Sequence, residues 1–316
     1  MGIYRTSYTG MNQKTLFFLN QNTSNISQLQ EKLASGKNIN RMSDNPLSAT
    51  KILNLNRTLS KNSQYDKNIN SAISEVTIAD SALSDAVDLI HRSKELATQG
   101  ANFGNDTSNF SALATEIDEI INQLVQIGNT NVGGRYLFSG KQTQTAPFNK
   151  TGNNVTYAGN ATTDAWQREV EVSEATTLTM NANGDSVFGQ ATVTAVGPPI
   201  VFAAGSNGLF ETLTELKLNL QAGNADEVRL RMDDLDADLT NVLNQQSTLG
   251  TTLNRLEQSA DLLAEREIFL NEQYTSLQDV DLPSLITELS SADNALQLSL
   301  SAASRVVQPT LLDYLR

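Results

Sequence analysis

The chain has 316 residues, a formal net charge of −13 and no cysteine. An acidic chain without a run of basic residues is not expected to bind nucleic acid, which requires a concentrated basic face. The lack of cysteine excludes disulfides, thiolate metal ligands and a cysteine nucleophile. No stretch reaches the 18 apolar residues of a membrane-spanning helix, so membrane insertion is not expected.

The first 40 residues predict a weak helix that is followed by a break. Apolar and polar residues share its heptad positions, which are Leu16, Leu19, Thr23, Ile26, Gln30 and Leu33. Gly36 can end a helix in the left-handed conformation. Asn45 is a good N-cap, and Pro46 suits the first helical position because its missing N–H costs nothing there. A long helix is therefore predicted from about Pro46 to Gln99.

Stronger heptad patterns occupy the rest of the first half. In the long helix they run through Ile69, Ile73, Val76, Asp80, Leu83, Val87, Ile90, Lys94 and Ala97. In a third helix, predicted at about 108–127, they run through Phe110, Leu113, Ile117, Ile120, Leu124 and Ile127.

The periodicity changes after about residue 131. Short β-branched or alternating runs predict strands at 135–138, 155–157, 166–172 and 176–180. Asn183-Gly184-Asp185 predicts a hairpin turn. These signals indicate a β-rich domain over about 132–207.

Helices are predicted again from residue 208 to 221, then over a long stretch, and finally over about 283–307, where Pro309 ends the last one. Heptad positions in the long stretch are Val228, Met232, Leu235, Leu239, Val242, Gln246, Leu249, Leu253, Leu256, Ala260, Leu263, Glu267, Leu270, Tyr274 and Leu277. Those of the last helix are Leu282, Leu285, Leu289, Ala292 and Leu296. One apolar stripe on a helix of roughly 75 Å cannot bury itself, so partner helices are required.

The predicted fold is mainly α with an inserted β-rich domain. Both terminal arms form a long coiled-coil-like bundle, and the β domain lies at its far end. Three parts are predicted. Terminal assembly helices cover 1–40 and 281–316, a helical rod covers 41–131 and 208–280, and the β-rich outer domain covers 132–207.

Several segments together resemble the bacterial flagellin superfamily. Residues 35–46, with Ser35, Gly36, Asn40, Asp44 and Pro46, resemble the N-terminal signature of flagellins and of the hook-associated junction proteins. The C-terminal residues 309–316 also fit that superfamily. The run 133–140, with Arg135, Tyr136 and Phe138, and the step at 146–148 resemble the junction proteins and differ from most flagellins.

This resemblance implies a secreted structural subunit at the hook–filament junction of an extracellular flagellum, exported unfolded by the type III apparatus. The implied partners are further copies in a ring, hook-associated protein 1, flagellin, and the flagellar export chaperone and apparatus. A flagellin is the alternative, and a cytoplasmic coiled-coil scaffold is the less favoured one. An enzyme is the least favoured alternative, because the sequence offers no converging nucleophile, base and orienting group, and no cofactor is predicted.

Two sets of apolar residues are the predicted contact sites. The terminal assembly interface is predicted at Leu16, Leu19, Ile26, Leu33, Leu285, Leu289, Leu296 and Leu300. The rod stripe is predicted at Leu113, Ile117, Leu124, Leu235, Leu239, Leu253, Leu256 and Leu263. Polar interruptions weaken the terminal helices, so they are predicted to be disordered or frayed in the monomer and to fold on assembly.

Two polar groups are candidates for other chemistry. His91 with Glu95 one turn later resembles an acid–base or metal pair, but a lone histidine on such a helix predicts a structural role. Asp233, Asp234, Asp236 and Asp238 resemble a cation-binding run, but their spacing around the apolar stripe predicts a solvated helix face.

Overall fold

The computed structural model describes residues 8–102, 107–160, 167–180, 182–195, 200–203 and 207–307. Seven helices form within these residues: α1 (Tyr8–Ser35), α2 (Pro46–Asn102), α3 (Thr107–Gly128), α4 (Gly184–Phe188), α5 (Gly208–Gln221), α6 (Ala225–Gln278) and α7 (Leu282–Val307). The predicted mainly α fold with an inserted β-rich segment is confirmed.

Strands in the described residues form four antiparallel pairs rather than one sheet. They are β1 (Asn131–Val132) with β2 (Arg135–Tyr136), β3 (Phe148–Thr151) with β4 (Asn154–Tyr157), β5 (Glu169–Ser173) with β6 (Thr176–Thr179), and β7 (Val193–Ala195) with β8 (Val201–Phe202). The strand predicted at 135–138 is shorter than expected, because Leu137 and Phe138 leave the pairing and enter the core.

The hairpin turn predicted at Asn183-Gly184-Asp185 is wrong. Asn183 instead caps α4, its side-chain oxygen accepting a hydrogen bond from the Asp185 N–H at 2.9 Å. The short helix buries Val187 and Phe188, and the Phe188 ring lies 5.5 Å from that of Phe138. Helix capping and aromatic burial outweigh the local turn signal here.

The chain divides into two compact units. The terminal unit contains residues 1–61 and 265–316, and the central unit contains residues 62–264. The predicted division had three parts, with the β-rich segment by itself. In the structure that segment shares a hydrophobic core with helices, since Phe138 and Phe148 belong to the same buried cluster as Ile117.

Helix α6 buries every seventh residue of its stripe completely within the central unit. These fully buried residues are Val228, Leu235, Val242, Leu249, Leu256 and Leu263. The intervening positions are only half-buried: Met232, Leu239, Gln246, Leu253 and Ala260. The predicted repeat therefore separates into one deep row and one shallow row.

Helix α2 carries a buried row that the heptad analysis missed. Its predicted second row is only half-buried: Ile73, Asp80, Val87 and Lys94. The second fully enclosed row lies three residues, not four, after the first: Ala72, Ala79, Ala86, Ser93 and Gly100. A Cβ on Gly100 would lie 2.6 Å from Leu220 Cδ2, so small residues here allow close approach of a neighbouring helix.

Some predictions fall outside the described residues. They are the helix stop at Pro309, the family-like residues 311–316 and the strand start at Trp166. None of the helices in the described ranges is long and apolar enough to cross a membrane.

Candidate assembly interface

Helices α1 and α7 of the terminal unit pack along a heptad stripe. Helix α1 contributes Thr15, Leu19, Asn22, Ile26 and Leu29, and helix α7 contributes Leu285, Leu289, Ala292, Leu296 and Ser299. One polar contact joins the two rows, where Asn22 Nδ2 donates to Ser299 Oγ at 3.1 Å. A polar pair within an apolar stripe favours one register over its alternatives.

The predicted assembly residues divide between the α1–α7 stripe and the exposed sides of the two helices. Leu19 and Ile26 face α7, but Leu16 is 60% exposed and Leu33 is also exposed. The stripe instead includes the polar residues Thr15 and Asn22, which an apolar pattern search rejects. Of the predicted α7 residues, Leu285, Leu289 and Leu296 lie in the stripe and Leu300 lies outside it.

Large apolar side chains remain exposed outside the stripe of this helix pair. Six of them are more than half exposed: Leu16, Phe17 and Phe18 on α1, and Ile286, Leu298 and Leu300 on α7. Large apolar side chains that stay exposed on both helices are candidates for contact with another protein. Phe17 and Phe18 are not among the predicted contact residues, although two adjacent aromatic residues in a polar helix are a signal that the sequence offers.

The motif at 35–46 builds the connection between α1 and α2. Gly36 ends α1 with a φ of +69°, and its N–H donates to the Lys32 carbonyl at 2.8 Å. The Asp44 carboxylate accepts from the N–H groups of Asn40 at 3.2 Å and Arg41 at 2.8 Å. The connection is therefore held by backbone N–H groups that donate to the Lys32 carbonyl and to the Asp44 carboxylate.

The next residues of the motif begin α2. Asn45 Oδ1 accepts from the Ser48 N–H at 3.1 Å, and Pro46 is the first helical residue. This is the predicted cap geometry. The hydroxyl of Ser35 contributes at the other end, accepting from the Lys37 N–H at 3.2 Å.

Backbone pairing also ties this connection to the end of α6. The Asn38 N–H donates to the Gln278 carbonyl at 2.6 Å, and the Val280 N–H donates to the Gly36 carbonyl at 3.2 Å. Lys37 and Asp279 form an antiparallel bridge between them. We call the segments 36–38 and 278–280 the backbone clasp.

The second motif lies in the central unit and surrounds a buried carboxylate. Arg135 Nη2 lies 2.5 Å from Glu75 Oε1, and Arg168 bonds to Glu75 Oε2. The Glu75 side chain is only 7% exposed. Tyr136 is half-buried beside Arg135, and Phe138 is fully buried. Glu75 thus fixes two hairpins to α2, a role that its helical position alone does not reveal.

Glu75→Gln should lower the free energy of unfolding of the central unit by about 2–3 kcal/mol, because two arginines lose a buried counter-charge. Chemical denaturation followed by circular dichroism measures this. Glu116→Gln is the matched control, since Glu116 pairs with Arg92 at an exposed site and should change stability by less than about 1 kcal/mol. Equal effects of the two variants would contradict the assignment.

The predicted rod stripe lies in the core of the central unit. Six of its residues are buried: Leu113, Ile117, Leu124, Leu235, Leu256 and Leu263. Leu239 and Leu253 are half-buried and pack against that core. These side chains stabilise the central unit and present little surface to a partner.

A charged network crosses this core. The Lys217 ammonium, almost fully buried, lies 2.9 Å from Asp118 Oδ1, and Lys150 lies 2.7 Å from the same oxygen. Burial opposes ionisation of Asp118, but hydrogen bonds from both lysines outweigh it and lower the pKa of Asp118. The network therefore joins α3, α5 and the β3–β4 pair.

Acidic side chains crowd the contact between α5 and α6. Arg231 lies 3.2 Å from Glu215 and 2.6 Å from Asp234. Burial raises the pKa of Asp238 to about 6. The hydrogen bond with Thr212 lowers this pKa, and the negative charge of the nearby Asp234 raises it further. The predicted solvated face holds for Asp233 and Asp236, which are exposed, while Asp238 is largely buried.

Asp238→Asn should stabilise the central unit by about 2 kcal/mol at pH 7.5 and by almost nothing at pH 4. The Asp238 carboxyl has a higher pKa in the folded chain than in the unfolded chain. The free energy of unfolding of the wild type therefore falls as pH rises from about 4 to 6. Denaturation midpoints measured across that pH range give the slope of stability against pH. Asp233→Asn on the exposed side of α6 should leave the slope unchanged. A wild-type slope in the Asp238→Asn variant would refute the assignment.

The candidate catalytic and metal groups do not converge. His91 is exposed, and Glu95 pairs with Arg92 at 2.8 Å. No cluster of three or more histidine, aspartate or glutamate side chains that could hold a metal occurs in the described ranges.

Comparison with known proteins agrees with these features. The bacterial flagellin N-terminal helical region matches residues 6–143, and the flagellin C-terminal helical region matches residues 232–315. Flagellar hook-associated protein 3 of Escherichia coli K12 is 30% identical over 282 residues, covering 86% of this chain and 87% of that protein. A flagellin of Listeria innocua is 24% identical over 304 residues, which cover 96% of both chains.

A solved structure shows the same fold. The crystal structure of the flagellar junction protein FlgL from Legionella pneumophila matches with a TM-score of 0.55 and 18% sequence identity. The match covers 72% of this chain and 99% of that chain.

Proposed function

The chain belongs to the flagellar hook-associated protein 3 family within the bacterial flagellin superfamily, and from that premise we propose that it is a structural adaptor at the hook–filament junction. The observation that carries this proposal is the α1–α7 pair, which leaves six large apolar side chains more than half exposed. A helix pair that buries one stripe and exposes another is suited to contacts with neighbouring subunits.

The proposed adaptor acts by assembly, without catalysis. It forms a closed ring with further copies, rests on hook-associated protein 1, and presents a platform on which flagellin polymerises. Such contacts are head-to-tail, because only heterologous interfaces close into rings or continue along a tube. The proposed location is the extracellular flagellum, reached through the flagellar export chaperone and the type III apparatus.

We further propose that the terminal segments 1–40 and 281–316 become fully ordered only on assembly. Their stripe contains Thr15, Asn22 and Ser299, so the pair buries little apolar surface by itself. Isolated helices depend on packing for most of their stability. Coupling folding to assembly would keep subunits soluble until they reach a growing end.

Electron microscopy of purified chain tests the proposal. Alone, the chain is expected to stay unpolymerised, and immunogold labelling is expected to place it at one end of isolated hook–filament structures. Long filaments formed by the chain alone would establish a flagellin instead, the alternative that the similarity to the Listeria protein favours.

A further inference from the structure

We propose that neighbouring copies in the ring are joined by a basic face on α2 and an acidic face on α6 of the terminal unit. The inference rests on the proposed junction function and names the surfaces through which one copy contacts the next. The basic face is Leu47, Lys51 and Arg57, and the acidic face is Glu265, Ile268, Phe269 and Glu272.

Charge is strongly divided within the terminal unit. Residues 1–61 contain eight lysines and arginines but only two acidic residues. Residues 265–316 contain eight acidic residues but only three arginines and no lysine. The two chain segments of this unit therefore carry opposite net charge, although the whole chain is acidic.

The basic face lies on one side of the first turns of α2. Ala49 and Ile52 are buried on the other side. Leu47 is 69% exposed, Lys51 is exposed one turn after it, and Arg57 is exposed further along α2. Long basic side chains next to a leucine can cover apolar surface with their stems while the charged heads meet carboxylates.

The acidic face lies on the side of α6 opposite its buried stripe. Leu270 is buried, whereas Ile268 is 62% exposed and Phe269 is 57% exposed. Glu265 and Glu272 are exposed at helical spacing on either side of Phe269. An aromatic face flanked by carboxylates attracts a guanidinium through both charge and cation–π contact.

The occupant of each face is a second copy of this chain. In the described residues, no salt bridge joins Lys51 or Arg57 to Glu265 or Glu272, so the complementary charges are not used within one chain. Every copy carries both faces. A ring requires two different, complementary surfaces on each subunit, and these two faces meet that requirement.

Single cysteines test the contact directly, because the chain has none of its own. One copy carries Arg57→Cys, another carries Glu272→Cys, and both are expressed in flagellated cells that lack their own junction protein. Isolated hook–filament structures are oxidised and separated without reductant. A crosslinked dimer is expected from the mixture and from neither variant alone. In the matched control, the second copy carries Glu288→Cys in place of the cysteine at position 272. Glu288 is an exposed acidic residue on α7.

Charge reversal gives a second readout. Arg57→Glu should reduce incorporation by about tenfold, Glu272→Arg should do the same, and the combined variant should recover to within about twofold of wild type. If wild-type chain occupies the junction but no mixed dimer forms and the combined variant does not recover, the inference is overturned and the junction function stands. If wild-type chain is absent from the junction, both are overturned.

Discussion

A chain lacking residues 281–316 should fold its central unit and fail to enter the hook–filament junction. The deletion removes α7 and therefore all of the α7 residues that pack against the α1 stripe. Ile26 and Leu29, both buried in the intact chain, would then be exposed. The deletion would also remove three of the six exposed apolar side chains, Ile286, Leu298 and Leu300.

Hydrogen exchange over residues 62–264 measures whether the central unit folds. Immunogold labelling of cells measures whether the truncated chain enters the junction. Leu285→Asp is a milder variant that places a charge in the stripe, where Leu285 is 4% exposed. Leu282→Asp at the exposed start of α7 is its control. Normal incorporation of the truncated chain would show that the terminal helices are not needed for assembly.

Gly189→Ala should destabilise the central unit by about 4 kcal/mol or more. Gly189 has a φ of +66°, and a Cβ there would lie only 1.8 Å from the Asn207 carbonyl oxygen. That oxygen accepts from the Gln190 N–H at 3.0 Å in the bridge that leads into α5. A methyl group would separate the two backbones and break the bridge.

Urea denaturation of the two alanine variants measures the contrast. Gly250→Ala is the control, because an added Cβ in the middle of α6 would meet nothing within 4 Å beyond its chain neighbours and the nearby backbone of its own helix. Alanine there should stabilise the helix by about 0.5–1 kcal/mol. A loss below 1 kcal/mol in Gly189→Ala would mean that the bridge is dispensable.

Helix limits could be predicted from sequence because their causes are local. The glycine after α1 and the asparagine–proline pair before α2 act within one turn of the chain. Hence the predicted start of α2 at Pro46 and the span of α5 at 208–221 agree with the structure. Heptad spacing likewise identifies the deep row of α6.

Contacts between distant residues could not be predicted in this way. Asn22 enters the α1 stripe because Ser299, 277 residues later, offers it a hydrogen bond. Glu75 occupies an ordinary polar position until Arg135 and Arg168 approach it from two hairpins. The small-residue row of α2 shows its purpose only when Leu220 packs against Gly100.

The backbone clasp has a consequence for how subunits exchange partners. Since α1 ends just before residues 36–38 and α7 begins just after residues 278–280, the clasp holds the end of α1 beside the start of α7. Their pairing is then an intramolecular event at an effective concentration of order mM or above. A helix from another subunit, present at much lower concentration, competes poorly for the same stripe. We therefore expect each subunit to pair its own α1 and α7 as assembly orders them, and domain-swapped dimers to be rare.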